Sequence, residues 1–166
     1  VQTAPAIIRA MGIDEELKKL GVHVANFSDY KRLPLPPEVK FHNIELAAEF
    51  LEYDAVADIA KAKTHAMMIL TLCVKNLFGL VKGCDRMGWH LAVGRDFAKF
   101  ADMLLDIHLS VRPRFNILDA VTCMEGNGPG SGTPVHRGFL AGSSDSLALD
   151  ASVAAIFGVP NLLLLR

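Results

Sequence analysis

The stretch Tyr53-Asp54-Ala55-Val56-Ala57-Asp58-Ile59-Ala60, followed by Lys61-Ala62-Lys63-Thr64-His65, decides the fold class. Its first eight residues are apolar on both faces except at Asp54 and Asp58, as suits a parallel strand covered on both sides. Working outward, residues 114–121 and 138–142 read as further strands. Residues 22–27, 39–41 and 161–166 read as short ones. Helices are expected over 5–20, 44–52, 67–78, 95–109 and 144–157. The cleanest is 95–109, where Phe97, Phe100, Ala101, Leu104, Leu105 and His108 recur at helical spacing. Residues 31–37, with three prolines, read as an irregular connector, and 82–94 as a glycine-bearing loop. Strands alternating with helices predict a single α/β domain over 1–166, with a mainly parallel sheet flanked by helices on both faces.

Composition narrows the function classes. With 166 residues, 51% of them hydrophobic, the chain has enough apolar material for a core, which excludes intrinsic disorder. Seventeen basic residues against 18 acidic ones leave a net charge of -1, which argues against electrostatic nucleic-acid binding. The most apolar stretch, residues 67–81, is interrupted by Lys75 and Asn76 and is too short to span a bilayer. Residues 1–19 are charged and broken by Pro5 and Gly12, unlike a signal peptide, so a cytoplasmic location without membrane contact is expected. Cys73, Cys84 and Cys123 lack C-x-x-C spacing, so the chain carries no zinc or iron–sulfur motif of its own.

Three segments carry chemistry, and each follows an expected strand: 61–65, 125–130 and 143–145. Ligands of open parallel sheets bind beyond the carboxyl ends of the strands, so the three would share one rim. Lys61, Lys63 and His65 offer donors for a phosphate or carboxylate, with Thr64 beside them. Thr71 and Lys75 lie one helical turn apart on an otherwise apolar helix, next to Asn76, and a lysine there needs a partner or a route to water. The alternating glycines Gly126 and Gly128 would bring backbone N–H groups to an anion, in a spacing that is neither a Walker loop nor a dinucleotide fingerprint. Glu125 and Asp150 are the expected divalent-metal ligands or proton carriers, because a carboxylate such as Asp150 in an apolar arc calls for a metal or a cation, with Lys61, Lys63 and Lys75 as the candidate partners of a buried pair. Asp119 would project toward the same edge. Asp145 is expected there too, although capping its helix is the commoner role for such a residue. Asp102 and Asp106 read as a surface pair, and His108 as a satisfied core histidine.

In order along the chain, Lys61-Ala62-Lys63-Thr64-His65, Thr71…Lys75-Asn76-Leu77-Phe78-Gly79, Asp106, Asp119, Glu125-Gly126-Asn127-Gly128-Pro129 and Asp145…Ala148-Leu149-Asp150 resemble the family of domains of unknown function numbered 362 (DUF362). The resemblance runs from about Asp54 to Gly158. One departure is Ala60, where the family pattern usually has proline. The family usually has a further strand-bearing segment ahead of the region matching Val1, so the chain looks like a partial copy. The family's iron–sulfur label reflects a ferredoxin-like cysteine cluster in many members, which this chain lacks.

The expectation is therefore a small anionic ligand, with or without a divalent metal, acted on by Lys63, His65, Lys75, Glu125 and Asp150. Lys61, Thr64, Asn76, Gly126, Gly128, Asp119 and Asp145 would bind it. The alternative is a non-catalytic module that docks a ferredoxin-type iron–sulfur protein through its lysines. A homo-oligomer is a further expectation, since an incomplete sheet would leave an edge open to pairing.

Overall fold

The computed structural model describes residues 3–32, 36–94 and 96–165. Two short helices, α1 (Ala4–Ala10) and α2 (Asp14–Lys19), precede an antiparallel pair of three-residue strands, β1 (Tyr30–Arg32) and β2 (Glu45–Ala47). The main sheet contains β3 (Ala57–His65), β4 (Ile69–Thr71), β5 (Phe115–Glu125) and β6 (Thr133–Ser143), in the order β4-β3-β5-β6. Between β4 and β5 lie α3 (Cys73–Asn76), α4 (Gly83–Val93) and α5 (Phe97–Val111), and α6 (Ser146–Ile156) follows β6.

The fold is α/β as expected, but the sheet is mixed rather than mainly parallel. Only β3 and β5 run parallel, while β4 and β6 are antiparallel to their neighbours. Connection length explains this. Parallel neighbours need a crossover of a dozen or more residues, and the helices between β4 and β5 supply one. Residues 66–68 and 126–132 are long enough only for hairpins.

Helices cover one face of the sheet rather than both. Asp58, Ala60 and Ala62 of β3 and Asn116, Leu118 and Ala120 of β5 alternate into that face, and the apolar ones pack with Leu149, Val153 and Ala154 of α6. The other face leaves Ile59 68% and Leu140 65% exposed. The sequence conceals the difference because Ala57, Ala60 and Ala62 are apolar whichever way they point. A second cluster surrounds α5, where Phe100, Met103, Leu104 and Ile107 meet Val74, Leu77 and Phe78. Asp96 starts α5 by accepting the Lys99 amide at 2.9 Å.

Other boundaries move for local reasons. The helix expected over 5–20 breaks at Gly12, whose φ of +71° favours glycine. The one expected over 44–52 becomes β2 and the 3₁₀ turn Glu49–Glu52, and the one over 67–78 becomes β4, α3 and the 3₁₀ turn Leu77–Leu80. The expected loop at 82–94 is mostly helix α4. Residues 22–27 and 39–41 form no strand, and 161–162 lead into the 3₁₀ turn Leu163–Leu165 where a strand is expected. The connector expected at 31–37 begins inside β1; its residues 33–35, together with 95 and 166, lie outside the described residues. No helix among the described residues is long and apolar enough to cross a membrane.

Candidate functional site

Residues 61–65 are the end of a strand, not a loop, and this aligns the lysines. Strand side chains alternate, so Ile59, Lys61, Lys63 and His65 leave β3 on one side. Thr71 stands opposite Lys63 across the β3–β4 hairpin. Because β4 is only three residues long, the edge of β3 before Lys63 has no strand beside it. Helix α3 fills that place: Asn76 Nδ2 donates to Asp58 Oδ1 at 2.7 Å and to the Ile59 carbonyl at 3.3 Å. These elements enclose a recess of about 270 Å³ in which Lys61, Lys63, His65, Thr71, Lys75 and Asn76 meet, with Ile59 and Pro129 completing the wall. The structure thus gathers five of the expected site residues, Lys61, Lys63, His65, Lys75 and Asn76.

Their charges differ in how far they are compensated. Lys61 Nζ lies 2.6 Å from Asp119 Oδ2 and donates to the Thr122 carbonyl at 3.0 Å. Asp119 also accepts the Val121 amide at 2.9 Å, and these contacts, Lys61 first, hold its carboxyl below the usual range. Lys63 and Lys75 have no carboxylate partner among the described residues. Lys75 is 9% exposed, with Nζ 4.5 Å from the centre of the Phe78 ring and 5.7 Å from that of Phe100. Burial, helped by the charge of Arg86, lowers its pKa to about 8. His65 Nδ1 accepts the Met67 and Met68 amides at 3.1 and 3.2 Å, which puts the ring proton on Nε2. Desolvation, then Lys75 and His90, lower its pKa to about 4, so the imidazole is neutral at physiological pH.

The ladders break where these residues cluster. The β3–β5 register shifts between Lys61 and Lys63, and the β5–β6 register between Ala120 and Thr122. Bulges of this kind re-aim side chains. Beyond them the glycine loop folds against β3. Thr64 Oγ1 donates to the Gly126 carbonyl at 3.0 Å, and a Cβ on Gly128 would lie 2.2 Å from the Thr64 carbonyl oxygen. Close backbone packing is therefore what Gly128 provides. Its amide donates to Gly126, and the Ser131 amide to Asn127, so neither is turned to an anion.

The acidic residues fall elsewhere. Glu125 pairs with Arg137 and lines an adjoining recess of about 360 Å³ together with Lys63, Thr64 and Gly126. Asp150 is fully buried and accepts the Cys73 and Val74 amides at 2.9 and 3.0 Å, anchoring the start of α3. Backbone amides, rather than a lysine, answer its carboxylate. Glu125 and Asp150 share neither a partner nor one of these recesses, and no group of three or more His, Cys, Asp or Glu converges among the described residues. Asp145 caps α6 through the Ala148 amide at 3.0 Å. It also lies at the opposite rim: β6 is antiparallel to β5, pairing Ser143 with Asn116 and Thr133 with Glu125, so roughly 30 Å of strand separates the two ends. The convergence of three loops is thus corrected to two.

Asp106 departs from the surface reading as well, since it is buried and accepts the Lys40 and Phe41 amides, both at 2.9 Å. His108 meets Ser146 Oγ at 3.1 Å, as a satisfied core histidine should. Phe78 and Arg137 stand outside the expected site residues. The i, i+3 spacing of Lys75 and Phe78 was the available signal for the first; the second needed the hairpin register.

The family model for the domain of unknown function DUF362 matches residues 2–155. The chain belongs to the DUF362 family. It is also similar to the thylakoid-associated protein sll1697 of Synechocystis sp., at 39% identity over 116 residues. That match covers 70% of this chain and 36% of the relative, so the chain spans about a third of that protein's length. No solved structure matches it significantly.

Proposed function

We propose that this DUF362 domain binds a small anionic ligand, a phosphate or carboxylate compound, in the recess between β3 and α3. The observation that carries the reading is the charge imbalance: Lys63 and Lys75 enter one recess of about 270 Å³ whose walls contribute no carboxylate. Two cations brought together without an acid repel each other, and an anion relieves that repulsion while gaining charge-assisted hydrogen bonds. Thr71 and His65 Nε2 add neutral donors. Lys61 contributes less because Asp119 already balances it.

Docking of a ferredoxin-type protein is the less favoured reading. A patch for an acidic partner needs protruding free lysines, whereas Lys75 is buried and Lys61 is paired. The test is a thermal-shift and calorimetric screen with inorganic phosphate and a panel of phosphorylated and carboxylated metabolites. A ligand at a hundred times its Kd stabilises by about 2.7 kcal/mol, a readily visible shift. Lys63→Gln should abolish it. If no anion shifts the wild-type domain, the reading fails.

A further inference from the structure

Lys75 is more than a positive charge at the back of the recess. Its ammonium neighbours are the rings of Phe78 and Phe100, and among the described residues no carboxylate and no hydrogen-bond acceptor holds it. A lysine that served structure alone would be paired, or would snorkel to water. This one is buried by its residue surface, yet it lines the recess. Desolvation and a nearby cation are the two conditions that turn a lysine into an amine nucleophile, and Arg86 supplies the second. With a pKa of about 8, roughly a tenth of the side chain is the free amine at pH 7.

We propose that Lys75 forms an imine with the carbonyl carbon of a small anionic aldehyde or 2-oxo acid held by Lys63. The inference rests on the anion-binding reading above and specifies the ligand's second functional group. The Nζ lone pair of the neutral amine attacks the carbonyl carbon, and the carbonyl π pair moves to oxygen to give a carbinolamine. The two amine hydrogens and the carbonyl oxygen then leave together as one water, and a C=N bond replaces C=O. No oxidant or reductant is required. His65 lines the same recess, and because its Nδ1 is committed to the Met67 and Met68 amides its proton is on Nε2, the atom that would donate to that oxygen. Lys63, on the strand opposite Thr71, anchors the anionic end.

The experiment is reductive trapping. The domain is incubated at pH 7 with limiting glyoxylate and cyanoborohydride, in parallel with glycolaldehyde phosphate, and the modified lysines are mapped by peptide mass spectrometry. The expected result is N-carboxymethyl-lysine at Lys75, at least tenfold above any other lysine. Excess inorganic phosphate should suppress it, and Lys63→Gln should lower it at least tenfold. Lys75→Arg keeps a charge over Phe78 but cannot form the imine, so it should lose the adduct. Labelling that merely follows lysine exposure, with Lys75 unmodified, overturns the inference. If the phosphate shift survives in that case, the anion-binding reading stands without it. If Lys75 is labelled but neither phosphate nor Lys63→Gln changes the yield, the nucleophile stands and the anchoring by Lys63 is refuted.

Discussion

The buried Asp150 makes the stability of this domain fall as pH rises through neutrality. Its carboxyl is fully enclosed, and desolvation raises its pKa to about 7 although the Val74 and Cys73 amides pull the other way. The folded protein therefore holds this proton more tightly than the unfolded chain, whose carboxyl titrates near 3.8. For a raised pKa the stabilisation is complete below the unfolded value and is lost as pH climbs through the folded one. Between pH 5 and pH 8 the loss from this one group amounts to roughly 2.5 kcal/mol, at 1.36 kcal/mol per pKa unit.

Urea denaturation of wild type and Asp150→Asn at half-unit steps from pH 4.5 to 8.5 isolates the effect. His65 titrates in an overlapping window with the opposite sign, since its lowered pKa makes stability rise with pH between about 4 and 6.5. That contribution is common to both proteins and cancels in the difference. At pH 5 the Asn variant should be less stable by about 2 kcal/mol, because its amide can accept from only one of the two buried N–H groups. By pH 8 the gap should close or reverse. A difference that stays constant across the range would refute the placement of the proton on Asp150.

Other substitutions sort the neighbouring residues. Asp106→Ala leaves the Lys40 and Phe41 amides without their acceptor and should lower stability by about 2–4 kcal/mol in urea melts. Lys61→Ala removes a half-exposed pair with Asp119, so both stability and phosphate affinity should change by under about 1 kcal/mol. Gly128→Ala forces the glycine loop off Thr64 and should lower the melting point, consistent with about 1–3 kcal/mol of overpacking. Phosphate affinity should fall as pH rises through about 8, where Lys75 loses its charge, while the trapping yield at Lys75 rises over the same range; calorimetry and mass spectrometry read the two trends separately.

How much of this was legible in the sequence depended on whether the relevant interaction was local. The helix over 95–109 was readable because its apolar stripe is one-dimensional, and α5 (Phe97–Val111) lies close to it. Lys61, Lys63 and His65 are legible as a group because they adjoin one another just past an expected strand; their alignment on one side needs β3 to continue through His65, and Lys75 joins them from α3, with Thr71 on β4 rather than on the same helix. Asp150 was recognised as a carboxylate in an apolar arc that demanded compensation. What compensates it, a pair of amides 76 and 77 residues away, is a tertiary fact with no periodicity. The parallel sheet was misread for a related reason. Strand direction depends on what the connection can span, and strands expected over only 114–121 and 138–142 conceal a hairpin of two eleven-residue strands joined by seven residues.

The same hairpin determines which residues can act together. Because β6 runs antiparallel, Asp145 is carried to the far rim, and Glu125 meets Arg137 on its own hairpin instead of a lysine. Asp150 is drawn inward to hold α3. The fold thus draws Asp145, Glu125 and Asp150 away from the recess, and the lysine that Asp119 pairs with is Lys61. What remains facing the recess is positive charge next to aromatic carbon, with Arg86 adding to it. Such an arrangement opposes folding on its own and is relieved by an anion, by loss of the Lys75 proton, or by a covalent bond that consumes the amine. The first accounts for the proposed ligand, the second for the lowered pKa, and the third for the proposed imine. A buried ammonium without a counter-charge therefore underlies all three, and for the pKa it is the burial that weighs most, with Arg86 second.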